Sequence, residues 1–144
     1  MPFGTRVVAE GPYGAFTESA RRRDKALLIA GGIGITPVRA LAETMEGDTV
    51  LIYRVLTDKD IVLTDELSAL ARRRDLTVRY VVGDHLSAFG RDLLSTAHLR
   101  ELVPDIVERD VFLCGPPGMI AAIEQNVRRA GVPRRCLHVE RFAL

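Results

Sequence analysis

Two short loops in this sequence hold residue types suited to an anionic ligand. Ala30-Gly31-Gly32-Ile33-Gly34-Ile35-Thr36-Pro37 opens directly into a stretch of helical period. Its glycines let the backbone approach a bulky group closely. Thr36 is suited to cap a helix, and Pro37 to the first helical position, where its missing N–H would be unbonded anyway. Free N–H groups at such a helix start, together with the positive end of its dipole, favour an anion, typically a pyrophosphate. The second loop, Cys114-Gly115-Pro116-Pro117-Gly118-Met119, is another tight turn into a helix with proline at its start. Each loop alone is also what a plain strand-to-helix turn looks like, and a cysteine is a common core residue.

The elements that must position these loops follow from periodicity. Short apolar runs at Ala26 to Ala30, Thr49 to Tyr53, Leu76 to Val82, Val111 to Cys114 and Cys136 to Val139 are too short for helices and are bounded by Gly, Asp or Pro. They read as five buried parallel strands. Between them Val38, Leu41, Ala42 and Met45 share one helical face, Leu67, Leu70 and Ala71 another, and Ile120, Ile123 and Val127 a third. Leu94 to Val103 reads as a further helix capped by Ser95 or Thr96 and ended by Pro104, after a long polar loop from Gly83 to Arg91. The expected fold is α/β with three αβα layers. Right-handed crossovers put the first strand in the centre, so the ligand site belongs at the switch point, between the loops that follow the first and fourth strands.

Composition bounds the rest. With 144 residues and 47% hydrophobic content, the chain is long enough for one domain with a real core. Its net charge of +1 at 27% charged residues provides no global field toward nucleic acid or lipid. The triplets Arg21-Arg22-Arg23 and Arg72-Arg73-Arg74 read as solvated arginines at turns and helix ends. Two sparse cysteines, Cys114 and Cys136, fit a reducing compartment. No stretch reaches the roughly 18 apolar residues of a membrane span, so a cytoplasmic location is expected, with any membrane contact made through other parts of a longer protein. His85, His98 and His138 are too scattered for a metal site and read as surface or strand-edge residues.

Gly32-x-Gly34-x-x-Pro37 departs from the Gly-x-Gly-x-x-Gly of ordinary NAD dehydrogenases. Instead, the two loops together resemble the paired nicotinamide motifs of the ferredoxin-NADP reductase superfamily, which includes the reductase ends of ferric reductases and NADPH oxidases. Two further segments agree. Glu10-Gly11-Pro12-Tyr13-Gly14-Ala15-Phe16 resembles the last strand and linker of that family's flavin domain, and His138-Val139-Glu140-Arg141-Phe142 resembles its C-terminal strand.

The resemblance implies a five-stranded sheet in the order 3-2-1-4-5, with residues 1–20 a remnant of the flavin domain and residues 21–144 the NAD(P)-binding domain. It implies that NAD(P)H passes a hydride to FAD held by a flavin-binding domain, in cis or in trans, for onward transfer to an iron, haem or iron-sulfur acceptor. By the same likeness Gly31, Gly32, Ile33, Gly34, Thr36 and Pro37 hold the pyrophosphate and ribose, while Cys114, Gly115, Pro116 and Met119 lie near the nicotinamide. Cys114 would be a packing residue for hydride transfer, since no neighbouring histidine in the sequence marks it as a nucleophile. Glu140 would tune charge at the flavin edge and Phe142 would touch the ring, although both also fit an ordinary terminal strand.

At the tip of the second strand, Arg54 and Thr57 are placed to grip a 2′-phosphate, which favours NADPH over NADH, with Asp58 and Asp60 close behind as counterweights. Relatives commonly carry an aromatic residue before the Asp-Glu-Leu of the second helix, where this chain has Leu63 and Thr64 before Asp65-Glu66-Leu67. The Arg-x-Tyr-Ser/Thr signature of the flavin barrel has no match, so the chain alone is expected to retain no flavin and to be inactive without its flavin domain. The alternative from a different class is a non-catalytic dinucleotide-binding module.

Overall fold

The computed structural model describes residues 16–83 and 93–141. Five strands, β1 (Lys25–Gly31), β2 (Thr49–Val55), β3 (Leu76–Val82), β4 (Arg109–Gly115) and β5 (Leu137–Arg141), form one sheet in the order β3-β2-β1-β4-β5. Every neighbouring pair is parallel, with Leu28 opposite Leu51 on one side and Phe112 on the other. The expected strand order and three-layer architecture are both found.

Alternation along the strands divides the core in two. Leu27 and Ile29 of β1, with Val111 and Leu113 of β4, pack under α3 (Thr96–Leu102) and α4 (Pro117–Arg129) through Leu99, Ile120, Ile123 and Val127. Ala26, Leu28 and Ala30, with Phe112 and Cys114, pack under α1 (Ile35–Thr44) and α2 (Thr64–Arg73) through Val38, Leu41, Leu67 and Leu70. Each fully buried Leu or Ile contributes about 1.5–3 kcal/mol, so the two layers anchor the sheet from both faces.

Several expectations need correction. β3 is a sheet edge, not a buried strand: Thr77 and Tyr80 are exposed, and among the described residues no strand pairs beyond it. Cys136 belongs to a short 3-10 turn, and β5 begins one residue later. His98 is buried, not on the surface, and His138, although on the edge strand β5 as expected, is buried too. The His98 ring Nδ1 accepts the amide of Leu94 at 2.9 Å, and Ser95, the actual cap of α3, accepts the amide of His98. His138 sits 3.2 Å from the carboxylate of Asp110.

Of the arginine triplets, Arg72 and Arg73 are solvated in the last turn of α2. Arg21 and Arg23 are not idle: their guanidiniums donate to the carbonyls of Arg23 and Val107 respectively. Glu10 to Ala15, His85, most of the Gly83–Arg91 loop and Phe142 lie outside the described residues.

Candidate functional site

At the C-terminal edge of the sheet the two central strands send their helices to opposite faces, α1 from β1 and α4 from β4. That divergence opens a crevice where ligands of open α/β sheets bind. A cleft of about 810 Å³ occupies it. Gly31, Gly32 and Ile33 form one wall, and Pro116, Gly118 and Met119, with Ala122 and Asn126 deeper along α4, form the opposite one. The end of β2 from Tyr53 to Val55, with Leu56 just past it and Asp60 and Val62 from the turn that follows, closes the third side.

The first loop is built differently from the sequence expectation. A 3-10 turn over Gly32–Gly34 runs straight into α1, so the helix starts at Ile35 and Gly34 stands at its cap. Thr36 is therefore not the N-cap. Contact of the 3-10 turn with β4 draws the helix start back by two residues, and Pro37 stays within the first turn, where its missing N–H is harmless.

The glycines have separate duties. Gly32 has φ 55°, a left-handed conformation that favours glycine, and a Cβ there would meet open space. Gly34 faces the protein instead: a Cβ would lie 2.7 Å from the carbonyl carbon of Cys114, so the loop can rest on β4 only with glycine here.

The proposed nucleotide residues sort into two groups. Gly31, Gly32, Ile33, Arg54, Pro116 and Met119 line the cleft together. Gly34, Thr36, Pro37, Thr57, Cys114 and Gly115 do not form its walls. Thr36 is exposed on the first turn of α1, and the hydroxyl of Thr57 donates to the Asp60 carboxylate at 3.1 Å. Cys114 is wholly buried, yet it is the register partner of Glu140, itself 4% exposed, so the two residues singled out for the hydride end do meet across β4 and β5.

Arg54 stands opposite Gly31 in the β1–β2 register, which puts a cation beside the glycine wall. Sequence reading missed Tyr53, and named Asp60 only as a counterweight to Arg54, not as a wall of the cleft. The Tyr53 hydroxyl accepts the Val62 amide at 3.1 Å and donates to the Asp60 carbonyl at 3.4 Å, tying the turn over 58–62 to the strand tip. Leu56 and Val62 are 62% and 51% exposed and Ile33 is 61% exposed, and these three apolar side chains border the same cleft. Large exposed apolar side chains around one concavity are suited to the flat faces of a heteroaromatic ring.

Fold and cleft thus define a doubly wound nucleotide-binding domain. Residues 28–125 match the model of the oxidoreductase NAD-binding domain family, and the chain belongs to that family. It is 29% identical to the glycine betaine monooxygenase reductase subunit of Pseudomonas aeruginosa, over 96% of this chain and 41% of that protein. It is 34% identical to the toluate 1,2-dioxygenase electron transfer component of Pseudomonas putida, over 97% of this chain and 43% of that one. Among solved structures, a cytochrome P450 reductase from Amycolatopsis has the same fold, with a TM-score of 0.68 and 24% identity over 82% of this chain and 37% of that one. The chain spans about two fifths of the length of these curated relatives. No helix among the described residues is long and apolar enough to cross a membrane.

Proposed function

We propose that this chain binds NAD(P)H and presents its nicotinamide to an FAD held by a separate flavin-binding domain, as the nucleotide-binding part of a flavin-dependent oxidoreductase. The observation that carries this reading is the cleft at the β1/β4 crossover, walled by both glycine loops and bordered by exposed apolar side chains. The residues present fit a dinucleotide. Gly32 leaves open space for a phosphate, Arg54 supplies positive charge at the β2 tip, and Ile33, Leu56 and Val62 provide apolar surface for a base.

When both are bound, the nicotinamide supplies a hydride and the flavin takes it. What this chain contributes is position, since hydride transfer needs donor and acceptor at roughly 3–3.5 Å and no acid or base. Cys114 packs from within the sheet. Glu140, its register partner, is the candidate for charge near the flavin edge; Phe142, the candidate for contact with the ring, lies outside the described residues. The relatives are named as parts of oxygenase systems, which supports an iron-containing oxygenase component as the eventual electron acceptor.

Arg54 supports NADPH as the donor. Asp60 in the same wall supports a second reading, NADH, because a carboxylate there would accept a ribose 2′-hydroxyl. Residues 1–20 fit as the end of the flavin domain and its linker, and 21–144 as the nucleotide domain.

The purified chain should retain no stoichiometric flavin. Adding it to a flavin-loaded partner domain that lacks its own nucleotide domain should let NADPH bleach the oxidised-flavin absorbance. Absence of bleaching, with nucleotide binding intact, would favour a non-catalytic dinucleotide-binding module.

A further inference from the structure

The end of the sheet opposite the cleft carries a second constellation that nucleotide binding does not use. Asp110, near the start of β4, is fully buried. One carboxylate oxygen accepts the backbone amide of Arg22 at 2.8 Å and that of Arg23, while the other faces His138 Nε2 at 3.2 Å. A buried carboxylate is costly unless it is well bonded, and this one is satisfied chiefly by a segment 87 and 88 residues earlier in the chain. The incoming segment is tied down further along. The Arg23 guanidinium donates to the Val107 carbonyl at 2.6 Å and to the Cys136 sulfur at 3.3 Å. The ring of Phe16 meets Phe112 edge-on, with centroids 5.8 Å apart, and Phe112 stacks on His138 at 4.5 Å.

Direction matters here. Asp110, Phe112 and Cys114 alternate along β4 and so share one face, with His138 and Glu140 beside Phe112 and Cys114 in register. The chain therefore passes Phe16 at the level of Phe112, one pleat below Cys114 and Glu140, before descending to Asp110. Asp110 and Cys114 are about 13 Å apart along one rigid strand.

We propose that Asp110 is a positioning residue: its buried carboxylate pins the segment leading into β1 and thereby fixes how a flavin-binding domain joined through that segment sits over Cys114 and Glu140. This rests on the flavin-reductase reading above. It adds that the geometry of hydride transfer is set from the far end of the sheet as well as from the cleft.

The test has two arms. In the 144-residue chain, amide hydrogen exchange followed by NMR should show Arg22 and Arg23 losing protection by about tenfold or more in Asp110→Ala, while Leu28 and Phe112 keep theirs. Asp110→Asn, which retains an oxygen for the amides, should restore most of the loss. Retained protection at Arg22 and Arg23, or equal loss at Leu28 and Phe112, would overturn the proposal.

In the flavin-loaded reductase containing this chain, Asp110→Ala should slow hydride transfer from NADPH about tenfold at unchanged half-saturating NADPH. Phe16→Ala lies outside the sheet and gives the same readout if Asp110→Ala does not fold. An unchanged rate in the variant that folds would overturn the role. Titration of the wild-type chain with 2′,5′-ADP and 5′-AMP is run alongside. Binding of neither would overturn the nucleotide reading itself, and with it the role given to Asp110, whatever the amides show.

Discussion

The two ends of the sheet are built on opposite principles. At the N-terminal end, Arg109 is buried and fully engaged: it meets Asp105 through two nitrogens, at 2.8 and 3.2 Å, and Asp48 at 3.1 Å, and it donates to the carbonyl of Ala26 at 2.9 Å. Lys25 joins Asp105 at 3.0 Å, and Asp110 holds the incoming segment. At the C-terminal end, glycines, prolines and exposed apolar side chains surround open space. Polar groups fixed by many partners make one end rigid, whereas the other keeps its surface free for a ligand. The difference separates residues that hold the fold from residues that are expected to hold a nucleotide.

Substitutions at the two ends should therefore fail in different ways. The largest stability effect is expected from Arg109→Leu, which strips a buried cation from two carboxylates and from the carbonyls of Ala26 and Asp48. Urea unfolding should show a loss of about 2–4 kcal/mol. Gly34→Ala comes next, at about 2 kcal/mol, because its methyl group would collide with the rigid backbone of Cys114.

Gly32→Ala should cost only about 1 kcal/mol, the strain of a left-handed alanine, but it should weaken nucleotide binding measurably. If Gly32→Ala destabilised the fold more than Gly34→Ala, the division between ligand-facing and protein-facing glycines would be wrong.

Acid provides a subtler contrast. The two-point hydrogen bonds from Arg109 hold the Asp105 carboxyl down to about 2, below its ordinary value of 3.8. A carboxylate with a depressed folded-state pKa stabilises the fold above its unfolded value, and that contribution is lost as pH falls from about 3.8 through about 2. Stability measured across that window should fall less steeply in Asp105→Asn than in wild type, while Gly32→Ala at the cleft, which touches no titrating group, should leave the slope unchanged.

Much of this division is legible in the sequence, but unevenly. The apolar runs and helical faces give five strands, because burial in a parallel sheet imprints itself locally, while their order came from the family resemblance. The glycine loops announce the crossover for the same reason. Helix α1 starts earlier than Thr36 and Pro37 suggest, since the 3-10 turn over Gly32–Gly34 is set by contact with β4 and not by capping chemistry. Nothing near Asp110 or His138 in the chain foretells their pairing or the amides 87 and 88 residues away. Tyr53 looks like a strand residue, and its hydroxyl's hold on the turn over 58–62 depends on a fold-back that pattern alone does not encode.

The crossover cleft is proposed to bind a dinucleotide through its phosphates, with Arg54 reading the 2′-position. Calorimetric titration of the purified chain with 2′,5′-ADP and with 5′-AMP, in wild type and in Arg54→Ala, tests it most directly. Binding of 2′,5′-ADP should be the tighter, and it should be reduced about tenfold in Arg54→Ala, which is about 1.4 kcal/mol. Equal or tighter binding of 5′-AMP would shift the donor to NADH, and no binding of either nucleotide would rule the cleft out as a dinucleotide site.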